Sequence, residues 1–230
     1  MKTIGLIGGL SWESSAEYYR RLNRQVREQL GGLHAANILM HSLDFAPVAA
    51  LQARGDWPAL DRAMVEAAVK LARGGADILL ICSNTMHRCA DAVAAASPIP
   101  LIHIADPVAT AIRAAGLRRV GLLGTAFTME QDFLKERLAQ AGIEVIVPDD
   151  AGRETIHRII YHELVQGVVN AISRDRYREV IAALVDRGAQ AIILGCTEIM
   201  LLVGDDDSAV PLFDTLALHV DAAVAAALGR

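Results

Sequence analysis

Residues 196 and 83 are the two positions where side-chain type and setting suggest acid–base chemistry. Cys196 stands between Gly195, which lets backbone approach closely, and Thr197-Glu198, where a turn or helix is expected to begin. Amide N–H groups at a helix start favour a thiolate and lower a cysteine pKa from its free value of about 8.5. A thiolate in such a place can act as base or nucleophile. The competing reading is a buried cysteine that merely packs at a strand end. Ser83-Asn84-Thr85 is a cluster of three small polar residues. Its hydroxyls, amide and backbone N–H groups can hold a carboxylate without any cationic side chain. The same residues are also good helix N-caps, and both roles can hold together.

The two positions are related by an internal repeat. The run Gly75–Thr85 aligns without a gap on Gly188–Glu198, an offset of 113 (188 − 75), and places Ser83 opposite Cys196. Ile4-Gly5-Leu6-Ile7-Gly8 matches Val120-Gly121-Leu122-Leu123-Gly124 at an offset of 116 (121 − 5). Two matches at nearly one period predict a duplicated α/β unit with a pseudo-twofold axis, which would bring residues 83 and 196 to opposite walls of one cleft. Facing groups of this kind can take a proton from one side of a carbon and return one on the other.

The elements that must position them alternate. Short apolar runs predict strands at Thr3–Ile7, Ala36–Ser42, Ile78–Cys82, Leu101–His103, Val120–Leu123, Ile143–Val147, Ala191–Leu194 and Leu212–Phe213. Helical patterns fall between them at Glu13–Gln29, Trp57–Gly74, Thr85–Ala96, Ala105–Ala115, Met129–Gly142, Arg153–Gly167, Arg174–Arg187 and Thr215–Leu228. Solidly apolar strands are expected where helices cover both faces of a parallel sheet. The chain therefore reads as α/β, with two pseudo-symmetric doubly wound parallel-sheet domains and the active site in the cleft between them. The expected domains are 1–105 and 106–214, with the last helix, 215–230, packing back on the first. Ligands of open α/β sheets bind beyond the carboxyl ends of the strands. Ser83, Cys196, Gly8-Gly9-Leu10-Ser11 and Gly124-Thr125 all lie at such ends.

Composition excludes several classes. At 230 residues, 53% hydrophobic and 21% charged, the chain is an ordinary globular protein. A net charge of −5 and 4% aromatic content give no reason to expect nucleic acid as a partner. Neither a signal peptide nor a membrane span is read from the sequence, and the three cysteines, Cys82, Cys89 and Cys196, make no disulfide framework. A cytoplasmic location with reduced thiols is expected. Cys82, His87, Cys89 and Cys196 are a nominal metal-ligand set, but their spacing lacks paired C-x₂-C, so no metal is expected. His87 and Cys89 read instead as residues of helix faces, and His103, within Ile-His-Ile, as a core histidine. Gly5-Leu6-Ile7-Gly8-Gly9 is not a dinucleotide fingerprint.

Taken together, Ile4–Trp12, Ser83-Asn84-Thr85-Met86-His87, Gly121–Thr125 with Thr128-Met129, and Gly195-Cys196-Thr197-Glu198 resemble the aspartate/glutamate/hydantoin racemase superfamily. The likeness is nearest to its aspartate racemase branch, and within that to the broad-specificity amino-acid racemases. It implies a cofactor-independent exchange of the α-proton of a free amino acid, with Ser83 and Cys196 at the two proton-carrier positions. It further implies substrate contacts from Leu10, Gln52, Asn84, Thr85, Thr125, Thr128 and Thr197, and a homodimer in which Glu13–Gln29 and the Gly31–His34 loop are the candidate surface. Most members carry cysteine at position 83, so a symmetric thiol pair is excluded here. Aspartate-specific members carry an arginine and a lysine where this chain has Phe45-Ala46-Pro47-Val48 and Glu163-Leu164-Val165-Gln166-Gly167. Loss of both charge-assisted clamps points to broad specificity. Two alternatives stay open: a single-cysteine lyase or cis–trans isomerase acting on a small dicarboxylate, as in the related arylmalonate decarboxylases and maleate isomerases, and a catalytically impaired amino-acid-binding homologue.

Overall fold

A computed structural model describes all 230 residues, in two compact units. The first comprises Met1–Ile104 and His219–Arg230, the second Ala105–Leu218. In the first, strands β1 (Ile4–Gly8), β2 (Ile38–Ser42) and β3 (Ile78–Ile81) form a parallel sheet of order β2-β1-β3. Helices α1 (Trp12–Leu30), α2 (Phe45–Arg54), α3 (Trp57–Arg73) and α4 (Ala90–Ala96) accompany it. The second unit carries α5 (Ala105–Ala114), β4 (Arg119–Gly124), α6 (Ala126–Glu130), α7 (Asp132–Gln140), β5 (Glu144–Ile146), α8 (Asp150–His162), α9 (Ala171–Asp186), β6 (Ile192–Gly195) and β7 (Leu212–Asp214). Its parallel sheet has the order β5-β4-β6-β7. The final helix, α10 (Thr215–Leu228), begins in the second unit and ends in the first.

The architecture is the α/β one expected, with two parallel sheets and solidly apolar central strands. Every residue of β1, β3 and β6 is buried, whereas the edge strand β2 has exposed positions. The repeat is written into the pairing register. Gly5 pairs with Leu79 and Gly121 with Ile192, while Ile7 pairs with Ile81 and Leu123 with Leu194. The offsets of 116 and 113 found in the sequence are therefore kept residue for residue. Close packing explains why glycine recurs: a Cβ on Gly5 would lie 2.9 Å from the Ala76 Cβ, and one on Gly121 2.7 Å from the Ile192 Cδ1.

Several elements differ from expectation. The strand foreseen at Leu101–His103 is reduced to a single parallel bridge between Leu79 and Leu101. Side chains intercept the backbone that would extend it. His219 Nε2 lies 2.8 Å from the Ile102 carbonyl, and the Ile104 N–H donates to His87 Nε2 at 3.1 Å. Thr85–Ala96 is a 3₁₀ turn over Thr85–Cys89 followed by α4, rather than one helix. Met129–Gly142 breaks at Gln131, which is extended (φ −78°, ψ 157°), into α6 and α7. Arg153–Gly167 is α8 followed by a 3₁₀ turn at Leu164–Gln166.

Candidate active site

Each unit presents one cluster at the carboxyl ends of two neighbouring strands, β1 and β3 in the first and β4 and β6 in the second. In the first unit the chain leaves β1 toward β2 on one side and reaches β3 on the other, so the β1 and β3 ends flank a topological switch point. In the second, β4 and β6 stand in the same relation. Such switch points are where doubly wound sheets bind ligands.

In the first unit, the loop after β1 is built by serines. Ser11 caps α1, its hydroxyl accepting from the Ser14 N–H, and Ser15 Oγ donates to the Ser11 carbonyl while accepting from the Gly9 N–H at 2.8 Å. Gly9 has φ +75°, and a Cβ there would sit 2.0 Å from the Leu43 carbonyl oxygen, so only glycine lets the ends of β1 and β2 approach this closely. Leu10 is buried beside it. After β3, Ser83 is half-buried and Asn84 and Thr85 are buried. Ser14 Oγ donates to the Cys82 carbonyl at 3.1 Å, and His87 Nδ1 lies 2.7 Å from the Ser83 carbonyl. The Ser83 hydroxyl accepts a long contact, 3.4 Å, from the Met86 N–H, which leaves its proton free to point elsewhere. Asn84 makes no side-chain capping bond to the 3₁₀ turn. Gln52 is buried in α2, and its Nε2 donates to Met86 Sδ at 3.1 Å, tying it to the same turn. Arg54 is exposed in the last turn of α2.

In the second unit, Thr125 caps α6 through its hydroxyl, which accepts from the Thr128 N–H and lies 3.2 Å from the Thr128 hydroxyl. After β6, Cys196 Sγ donates to Glu198 Oε2 at 3.0 Å, and Thr197 Oγ1 donates to the same oxygen at 2.7 Å. Glu198 is only 4% exposed. The expectation of a lowered cysteine pKa is overturned. Burial, followed by the Glu198 negative charge and its hydrogen bond, pushes the Cys196 thiol well above its usual range. Backbone N–H groups of Glu198 and Thr197 do pull the other way, as the sequence suggested, but they are outweighed. These surroundings favour the thiol form of Cys196. Burial also holds the Tyr161 hydroxyl up at about 12, with the Cys196 and Glu198 charges adding to it.

The sequence singled out Ser83, Asn84, Thr85, Leu10 and Gln52, and all five belong to the first cluster or the turn that supports it. Thr125, Thr128, Cys196 and Thr197 lie around the second. Glu198 and His87 were not foreseen as functional. Their signal was spacing: a carboxylate two residues past a cysteine in a tight turn, and an imidazole four residues past Ser83, one turn along. No group of three or more His, Cys, Asp or Glu side chains is placed to hold a metal ion, and Cys82 and Cys89 are buried thiols whose ionisation burial opposes.

The chain has clear relatives. The family model described as Asp/Glu/Hydantoin racemase matches residues 7–223. A candidate Asp/Glu racemase from Yersinia pestis is 51% identical, with 99% of this chain and 100% of that one covered and a TM-score of 0.93. An aspartate racemase homologue from Pyrococcus horikoshii OT3 is 32% identical over 99% of this chain and 100% of that one, with a TM-score of 0.86. The broad specificity amino-acid racemase of Bacillus subtilis is 25% identical over 169 residues, 70% of each chain. Glutamate racemase of Francisella tularensis, in complex with D-glutamate, shares the fold at 17% identity, covering 99% of this chain and 81% of that one with a TM-score of 0.70.

Proposed function

The chain belongs to the Asp/Glu/hydantoin racemase family, and from that premise we propose that it is an amino-acid racemase that works without pyridoxal phosphate. The observation that carries this reading is the Cys196–Glu198 pair at the end of β6, with Ser83 at the register-equivalent end of β3. Inverting a stereocentre needs a proton carrier for each face of Cα. We assign one face to Cys196 and the other to Ser83 or a water held by it. In the direction where Cys196 is the acid, its resting thiol is already the required form, and on the other face the α-proton passes to a hydroxide ion held by Ser83, which becomes water. In the other direction the thiol must first lose its proton, and Glu198 is the acceptor in contact. The N–H groups of Thr197 and Glu198 then favour the thiolate while it abstracts the α-proton. Asn84, Thr85, Thr125, Thr128 and Thr197 supply neutral donors for the α-carboxylate, with Leu10 and Gln52 shaping the first half-site.

Specificity is broad in this reading. The segment expected to supply an arginine is the first turn of α2, Phe45–Val48, and the one expected to supply a lysine ends in the 3₁₀ turn at Leu164–Gln166. Neither carries a cation, and Arg54 is exposed. Two missing charge-assisted contacts remove about 3–6 kcal/mol of preference for an acidic side chain. A homodimer fits the exposed Trp12, Tyr19 and Leu33 on and beside α1, and a dimeric mass by light scattering is expected. The three unpaired thiols suit a cytoplasmic location, and no helix is long and apolar enough to cross a membrane.

Incubation of homoserine, methionine, alanine, aspartate and glutamate in D₂O tests activity and selectivity together. Deuterium at Cα with loss of optical rotation is expected for several of them, and Cys196→Ala should reduce it by about a thousandfold or more. Silence of the whole panel would defeat the proposal. A preference for aspartate above about a hundredfold, near 2.7 kcal/mol, would defeat the specificity argument alone. A second reading draws on Ser83 itself. With one thiol instead of two, the site could deliver a single proton after decarboxylation of a malonate derivative, and CO₂ release with amino acids inert would select it.

A further inference from the structure

The Ser83 turn is held by a histidine that meets the backbone on either side of it. His87 lies in the 3₁₀ turn and is 2% exposed. Its Nδ1 is 2.7 Å from the Ser83 carbonyl oxygen, and its Nε2 is 3.1 Å from the Ile104 amide nitrogen, which donates to it. These two contacts fix the proton. A backbone N–H only donates, so Nε2 must be bare, and a carbonyl only accepts, so Nδ1 must carry hydrogen. Only the neutral Nδ1–H form satisfies both. The cationic ring or the other tautomer would set two donors, or two acceptors, against each other.

The ring is in turn braced from two sides. His103 packs edge-on at 4.6 Å between centroids, and His219 at 5.6 Å. One nitrogen of His219 is fixed in the same way. Nε2 faces the Ile102 carbonyl at 2.8 Å and so carries hydrogen, while Nδ1 lies 2.8 Å from the Tyr18 hydroxyl, which can donate or accept. Ile102 and Ile104 are thus pinned by two imidazoles, and the pinned segment holds His87 against Ser83. The carbonyl before Ser83, that of Cys82, is held separately by the Ser14 hydroxyl. Both peptide oxygens flanking the Ser83 Cα are therefore fixed by side chains of the unit's own interior.

We propose that His87, locked in its neutral Nδ1–H tautomer between Ser83 and Ile104, is a positioning residue that sets where the Ser83 hydroxyl points. The proposal rests on the racemase reading for its kinetic consequence and on geometry alone for its tautomer. Misplacing a reacting group by about 1 Å costs on the order of a hundredfold in rate. Because His87 bonds to the Ser83 peptide, its loss should burden the proton-transfer step assigned to Ser83 more than the other.

Two measurements test this. In the unaltered protein, ¹⁵N–¹H correlation of the imidazole rings should show His87 with a protonated Nδ1 and a bare Nε2 at neutral pH. A ring protonated at Nε2, or at both nitrogens, overturns the clamp. In His87→Phe, which keeps the packing against His103, kcat should fall about tenfold to a hundredfold. The α-deuterium isotope effect should then become unequal for the two enantiomers, growing for the one whose proton is handled by Ser83. His87→Gln, whose amide offers one donor and one acceptor, should recover part of the loss. A folded His87→Phe with unchanged isotope effects in both directions overturns the positioning role, since a mere loss of folded protein lowers kcat and leaves isotope effects alone. If the unaltered protein exchanges no α-proton, the racemase reading falls, and the ring nitrogens still decide the clamp.

Discussion

Cys196 shows why a residue's setting in sequence and its setting in space can pull in opposite directions. The amides of Thr197 and Glu198 were legible as groups that favour a thiolate, and they do act in that sense. Burial of the sulfur and the carboxylate two residues later were not legible in the same way, because both depend on how β6 ends inside the core. The result is a thiol whose ionisation is opposed by its burial and by the neighbouring carboxylate. Glu198→Gln should therefore do two things at once. With the negative charge gone, the Cys196 pKa moves down from its raised value, and an ultraviolet thiolate titration should shift to lower pH. If Glu198 takes the thiol proton as proposed, kcat near neutral pH should fall about a hundredfold. A variant of unchanged kcat would remove Glu198 from the proton path. Serine at position 83 gives the complementary test. If a thiol is the better carrier there, Ser83→Cys should raise kcat by about tenfold or more.

At the scale of elements, the motifs persist because strands must meet at fixed distances. Gly9→Ala would combine a left-handed φ with a Cβ 2.0 Å from the Leu43 backbone, and should cost about 3 kcal/mol or more. Gly55→Ala, at φ +68° with open space around it, should cost only about 1 kcal/mol. Urea unfolding of the pair separates close approach from backbone preference, and equal losses would mean that the β1 and β2 ends can move apart. Most strand positions and the α/β class were legible because solid apolar runs and the repeat leave little choice. α2 was not foreseen, although Asp44 caps it, Pro47 sits in its first turn and Gly55 closes it in a left-handed conformation. Its apolar face was too short to stand out beside Trp57–Arg73. The Leu101–His103 strand stops short for a reason no local pattern holds: the Ile102 carbonyl goes to His219, more than a hundred residues away, and the Ile104 N–H that follows goes to His87. The break at Gln131 has no marker in the sequence and no account in its contacts.

Over the whole molecule, the two units are not equivalent in how the chain supplies them. The second is one unbroken stretch, Ala105–Leu218, whereas the first lacks its last piece until residues 219–230 are added. That piece is substantial. Val220, Ala223, Val224 and Ala227 are almost fully buried, the Ala227 carbonyl accepts from the Lys2 N–H at 2.9 Å, and His219 meets Tyr18 and Ile102. Contacts between residues so distant in sequence carry a high closure cost and form late. A chain emerging from its N-terminus can thus complete the second unit while the first is still unfinished. The Ser83 turn would be the last part of the molecule to become rigid, since the imidazole that pins Ile102 arrives with residue 219. Hydrogen exchange on a chain ending at Leu218 should find amides of β4 and β6 protected as in the whole protein, and those of β1 and β3 exposed. Protection lost from both sheets alike would mean that the units fold only together. The expected order of completion follows from chain connectivity: the half with the thiol can be made ready first, while the half with the hydroxyl waits for the final helix.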